Sequence, residues 1–118
     1  MAKHPDPISS HVLDTSTGLP AADITISFEK LNPESNRWES ICLKKTNTDG
    51  RASAFLTWEE ILPITYRMRF DIQDYFKRRQ VDTFYPYAEV VFQIKDPKAH
   101  YHIPLLLSPY GYSTYRGS

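Results

Sequence analysis

Two histidines stand two residues apart near the end of the chain, His100 and His102, and a third, His11, lies near its start. On an extended segment the i, i+2 spacing sends both imidazoles of the pair to one face. Three readings of that arrangement stay open. With His11 as a third ligand the pair can grip zinc; the rings can be structural or solvent-facing; or they can do acid/base work, because an ordinary imidazole pKa of about 6.5 lets the ring take and give a proton near neutrality. Arg51 directly follows Thr48-Asp49-Gly50, a tight-turn sequence, so the turn places it. It is either a solvated cation or a guanidinium that anchors an anionic or carbonyl-rich ligand.

Other standard chemistries are missing from the sequence. It has no Gly-rich phosphate loop, no Cys-x-x-Cys, no His-Glu-x-x-His and no Gly-x-Ser-x-Gly. The single cysteine, Cys42, cannot form an internal disulfide, which points to a reducing compartment. It sits in the strand-like run Trp38-Glu39-Ser40-Ile41-Cys42-Leu43, where a buried, inert thiol is expected rather than a nucleophile.

The elements that position these residues are strands. Run 8–14 alternates and sets His11 on the face of Ser9 and Leu13, opposite Ile8 and Val12. Run 24–31 alternates more cleanly, with Ile24, Ile26 and Phe28 on one face and Thr25, Ser27 and Glu29 on the other. Runs 38–45, 66–72 and 88–94 read as further strands, and 99–107 and 110–116 form a closing hairpin about the Ser108-Pro109 corner. Over 72–79 the period changes: Ile72, Tyr75, Phe76 and Arg79 share one helical face. The sum is about seven to eight strands and one short helix, an all-β, two-sheet antiparallel sandwich. Pro104 lacks an N–H, which places the closing hairpin near a sheet edge or at a subunit contact.

The totals agree with one compact domain. The chain has 118 residues, 41% hydrophobic and 24% charged. Residues 1–7, with two prolines, read as a flexible arm ahead of a single domain over 8–118. The 14 basic and 14 acidic side chains cancel, so no one-signed field recruits nucleic acid or an anionic membrane; Lys77-Arg78-Arg79 reads as a solvated face. No stretch approaches the roughly 18 apolar residues of a membrane span, and the start has no apolar signal region. The expectation is a cytoplasmic protein, not secreted, with a peroxisomal or nuclear location left open.

The chain closely resembles the 5-hydroxyisourate hydrolases of the transthyretin-related family. The likeness rests on Ser10-His11-Val12-Leu13-Asp14-Thr15-Ser16-Thr17-Gly18-Leu19-Pro20-Ala21, Thr48-Asp49-Gly50-Arg51, Tyr66-Arg67-Met68-Arg69-Phe70 and Phe84-Tyr85-Pro86. It continues through His100-Tyr101-His102-Ile103-Pro104-Leu105-Leu106-Leu107-Ser108-Pro109 and ends on Tyr112-Ser113-Thr114-Tyr115-Arg116-Gly117-Ser118. The resemblance implies a transthyretin-like sandwich assembled as a homotetramer, a dimer of dimers, with active sites at subunit interfaces. It implies hydrolysis of 5-hydroxyisourate in urate (purine) degradation, with no metal and no cofactor. His11, Arg51, His102 and the terminal Ser118 are then the catalytic set, with His11, Arg51 and Tyr115 binding substrate and His100 in support. Either His11 or His102 can be the base. The alternative within the same fold is a non-catalytic small-molecule carrier, which has no use for His11, Arg51 and His102 together.

Overall fold

The computed structural model describes residues 4–117. Within them the chain forms β1 (Ile8–Asp14), β2 (Leu19–Pro20), β3 (Thr25–Leu31), β4 (Trp38–Lys45), β5 (Arg51–Ala52) and β6 (Thr65–Phe70). Helix α1 (Ile72–Arg78) follows, then β7 (Ala88–Gln93), β8 (Tyr101–Ser108) and β9 (Gly111–Thr114). The long elements fall where the sequence periods put them. The two that alternation did not show, β2 and β5, are two residues each, too short to display a period.

Two sheets face each other. One runs β4-β3-β6-β7, and the other runs β2-β1-β8-β9 with β5 also paired to β1. Both faces turned inward are apolar: Ile26 and Phe28 from β3, Tyr66, Met68 and Phe70 from β6, and Ile103, Leu105 and Leu107 from β8 are buried. Phe28 sits at the centre, its ring 5.2 Å from that of Phe55 and 5.3 Å from that of Tyr66. Each such fully buried side chain contributes about 1.5–3 kcal/mol relative to exposure.

One ladder departs from the antiparallel expectation. β1 and β8 run parallel, in register from Ile8 opposite Tyr101 to Asp14 opposite Leu107, while every other named ladder is antiparallel. Parallel neighbours need a long crossover, and here the rest of the sandwich serves as one. Ser10 fastens the two strands further by donating its buried hydroxyl to the Ile103 carbonyl at 2.7 Å.

Pro104 lies on β8, an interior strand; its hairpin partner β9 forms the sheet edge on that side. Its carbonyl accepts from the Thr114 hydroxyl at 2.6 Å, so the side on which its N–H is missing faces β9. The β9 ladder stops at Leu105 opposite Thr114 and resumes only as the isolated pair His102 and Gly117. Proline thus interrupts the ladder two residues from the site residue His102.

Among the described residues, buried polar side chains are few and satisfied. Asp14, 1% exposed, accepts from the Ser16 backbone and hydroxyl and from the Tyr75 hydroxyl at 2.8 Å. Burial and the Asp14 carboxylate together push the Tyr75 phenol up to about 12, so it remains a donor throughout the physiological range. This bond ties α1 to the strand that carries His11. Tyr75→Phe leaves a buried carboxylate short of a partner, and urea unfolding of that variant should show a loss of about 1–3 kcal/mol.

Candidate active site

The outward face of the sheet built on β1 collects the residues singled out above. β1 alternates buried and half-buried positions, so Ile8, Ser10, Val12 and Asp14 point into the core and Ser9, His11 and Leu13 point outward. In the parallel ladder Ser9 is opposite His102 and His11 is opposite Pro104. On the other side of β1, His11 is opposite Arg51. Directly paired residues share a face, so Arg51, His11 and His102 stand on three neighbouring strands, facing the same way. The His11 and His102 ring centres are 6.5 Å apart.

Arg51 is placed by the turn before it. The Asn47 side-chain oxygen accepts from the backbone N–H of Asp49 at 2.9 Å and of Arg51 at 3.0 Å. Gly50 adopts φ 73°, and a Cβ there would lie 2.5 Å from the Val12 carbonyl oxygen. Glycine is required on both counts. Its own carbonyl accepts from the Val12 N–H at 2.8 Å, locking the turn to β1.

His102 is held on two sides. Its Nδ1 is 2.8 Å from the Ser9 hydroxyl, whose oxygen is also 3.1 Å from His100 Nε2. Its backbone exchanges two hydrogen bonds with Gly117, N–H to carbonyl at 3.3 Å and carbonyl to N–H at 2.7 Å. A Cβ on Gly117 would stand 2.9 Å from the His102 ring carbon Cδ2, so only glycine lets the chain end pass this close. The His102 pKa is lowered first by burial, then by the positive charge of Arg51 and the neighbouring His100, His11 and His4 rings. The neutral imidazole, the form able to take a proton, is thereby favoured.

An open pocket of about 460 Å³ lies over this face, lined among others by Ser9, Asn47, Arg51, His100 and His102. His4, Pro5 and Asp6 line it as well. These residues belong to the segment expected to be a loose arm. His4 stacks on His100, ring centres 3.7 Å apart, and its carbonyl accepts from the Trp58 indole at 2.7 Å. Residues 1–3 of the arm fall outside the described part of the chain.

The remaining candidates divide. His11 stands beside His102 but does not line that pocket. Tyr115 is exposed and lines a different depression, with Val91, Phe92, Ile103 and Arg116. Ser118 lies outside the described residues, one position beyond Gly117. Cys42 is half-buried, and burial raises its thiol above the ordinary value, away from the reactive thiolate. Among the described residues, no three His, Cys, Asp or Glu side chains converge as a group that could hold a metal ion. A larger depression of about 700 Å³ beside α1 is lined by Asp71, Asp74, Lys77 and Thr83 and contains no histidine.

Sequence reasoning missed Ser9, Asn47 and His4 as site residues. Ser9 shares the strand face of His11, a signal present in the alternation; the contact of His4 with His100 spans the chain and left none.

Because the folded state favours neutral His102, it binds fewer protons than the unfolded chain just below pH 6.5. Stability associated with this group is fully present above about pH 6.5 and declines as pH falls toward the depressed folded value. An NMR titration should place the His102 midpoint below 6.5, and Arg51→Gln should move it upward by removing the Arg51 charge.

Residues 8–117 match the model of the HIUase/Transthyretin family. The chain is 44% identical to the 5-hydroxyisourate hydrolase of Mus musculus over 118 residues, covering all of both chains. It is 41% identical to the 5-hydroxyisourate hydrolase of Salmonella typhimurium, covering 94% of this chain and 80% of that one. Among solved structures it superimposes on sea bream transthyretin in complex with thyroxine with a TM-score of 0.87, at 28% identity and 94% coverage of each chain. It superimposes equally well on (S)-allantoin synthase, TM-score 0.87 and 33% identity, covering 98% of this chain and 45% of that one. The chain belongs to the HIUase/Transthyretin family.

Proposed function

We propose that this protein is a 5-hydroxyisourate hydrolase, opening the ring amide of 5-hydroxyisourate with water in the degradation of urate. The observation that carries this reading is the placement of His11, Arg51 and His102 on one sheet face, with Arg51 and His102 lining an open pocket. Such hydrolysis needs a base for water, a cation for the developing oxyanion and a proton for the leaving nitrogen. The product is 2-oxo-4-hydroxy-4-carboxy-5-ureidoimidazoline.

In this proposal His102 is the base. Its Nδ1 is engaged by Ser9, and Nε2 makes no hydrogen bond among the described residues. Nε2 takes a proton from water as the water oxygen bonds to the amide carbon. Arg51 faces the carbonyl oxygen on which negative charge accumulates. Collapse of the tetrahedral species breaks the carbon–nitrogen bond, and the proton returns to the departing nitrogen from the imidazolium of His102 or through His11. Ser118, the residue after Gly117, orients the water or substrate, and Tyr115 lines the substrate cleft, which a neighbouring subunit completes. No metal or cofactor is required by this sequence of steps.

The assembly proposed is a homotetramer, a dimer of dimers with sites at its interfaces. Support comes from the apolar side chains left exposed on single chains, including Leu19, Leu43, Val91, Tyr110 and Tyr112. The proposed location is cytoplasmic, consistent with the one free thiol; no helix among the described residues is long and apolar enough to cross a membrane. A non-catalytic carrier role gives no account of Arg51 lining one pocket with His100 and His102.

The decisive assay follows the ultraviolet absorbance of freshly generated 5-hydroxyisourate, which also decays on its own. The purified protein should accelerate the decay, and no acceleration would overturn the proposal. His102→Ala and Arg51→Ala should each lower kcat/KM by about 10²- to 10⁴-fold while remaining folded by circular dichroism.

A further inference from the structure

Ser9 contacts two imidazoles at once, and a hydroxyl has a single proton. Its oxygen lies 2.8 Å from His102 Nδ1 and 3.1 Å from His100 Nε2. It can donate to at most one of them, so at least one ring nitrogen must carry a hydrogen toward it, and this links the protonation patterns of the two rings. We propose that Ser9 is a positioning residue which, braced by His100, holds His102 in the tautomer protonated on Nδ1 and so keeps Nε2 open to take a proton. The inference deepens the hydrolase reading and rests on it for its catalytic meaning.

The direction of the relay follows from the site. His102 Nε2 accepts a proton only if Nδ1 carries the hydrogen of the neutral ring. Nδ1–H then donates to the Ser9 oxygen, Ser9 O–H donates to His100 Nε2, and His100 carries its own hydrogen on Nδ1. When His102 takes a proton at Nε2, the Nδ1–H bond to Ser9 persists and no group in the chain has to reorganise. No proton is gained or lost along the relay itself.

The frame around Ser9 is rigid. Ser9 and His102 are register partners in the parallel ladder, and the next residue, Ser10, is fastened to the Ile103 carbonyl. His100 is pinned from both directions: the His4 ring stacks on it, 3.7 Å between centres and 11° between planes, and its carbonyl accepts from the Arg116 guanidinium at 3.2 Å. The His4 carbonyl is itself held by Trp58. The amino-terminal segment thereby acts as the outer brace of the relay, with His4, His100, Ser9 and His102 in consecutive contact.

The test combines two readouts on the intact chain. Nitrogen-15 NMR of the histidine rings should show the wild-type His102 as the Nδ1–H tautomer, without substrate present. Ser9→Ala should convert it to a mixture weighted toward Nε2–H and reduce kcat by about 10- to 100-fold with KM unchanged. Ser9→Thr, which restores a hydroxyl, should recover both the tautomer and most of the rate. An Nε2–H tautomer in the wild type, or Ser9→Ala with wild-type tautomer and kcat, would overturn the inference. Ser9→Thr matching Ser9→Ala in both readouts would also overturn it. Failure of the wild type to accelerate 5-hydroxyisourate decay would instead strike the hydrolase reading, and the NMR result would stand apart from it.

Discussion

The parallel ladder between β1 and β8 is the constraint on which the rest depends. Ser9 and His102, 93 positions apart, become direct neighbours only through it. A slip of one residue would turn His11 and Ser9 into the core and Val12 out to solvent, because side chains alternate faces along a strand. Register is fixed by what lies beneath: Ile8, Val12, Leu105 and Leu107 are all 0% exposed, and Asp14 is anchored to Tyr75. Packing on the inner face thus sets the positions of the chemical groups on the outer face. The same ladder explains why the site can be polar without destabilising the sandwich, since its polar members need no place in the core.

Electrostatics at the site follows from crowding cations and imidazoles onto that outer face. Arg51 arrives on β5, tied through Gly50 and Asn47 to β1, and its charge discourages a second positive charge on His102. Partial burial acts in the same direction and is the larger influence. The result is an imidazole that stays neutral where an exposed histidine begins to titrate. Gly117 completes the arrangement by bringing the chain end against the His102 ring, an approach any side chain at that position would block.

Much of this was visible in the residues. Alternation located β1, β3, β4, β6, β7 and the closing hairpin, and the change of period at Ile72 located α1. The i, i+2 spacing put His100 and His102 on one face, and the Thr48-Asp49-Gly50 turn placed Arg51. What local pattern could not supply was partnership between distant strands. The parallel pairing of β1 with β8, the two-residue strands β2 and β5, and Pro104 on an interior strand all depend on contacts far apart in sequence. The nearness of His11 to His102 was implied only by family resemblance, and the docking of His4 on His100 by nothing local. Tyr115 illustrates the converse: its motif is legible, yet within one chain it lines a separate depression.

The central claim is that groups on β1 and β8 act as one unit because the ladder holds them together. A double-mutant cycle on kcat/KM for His11→Ala and His102→Ala measures that directly. Residues working as a unit are strongly non-additive, so the double variant should lose within about threefold of what the worse single variant loses. Losses that simply multiply would show two independent contributions and contradict the account.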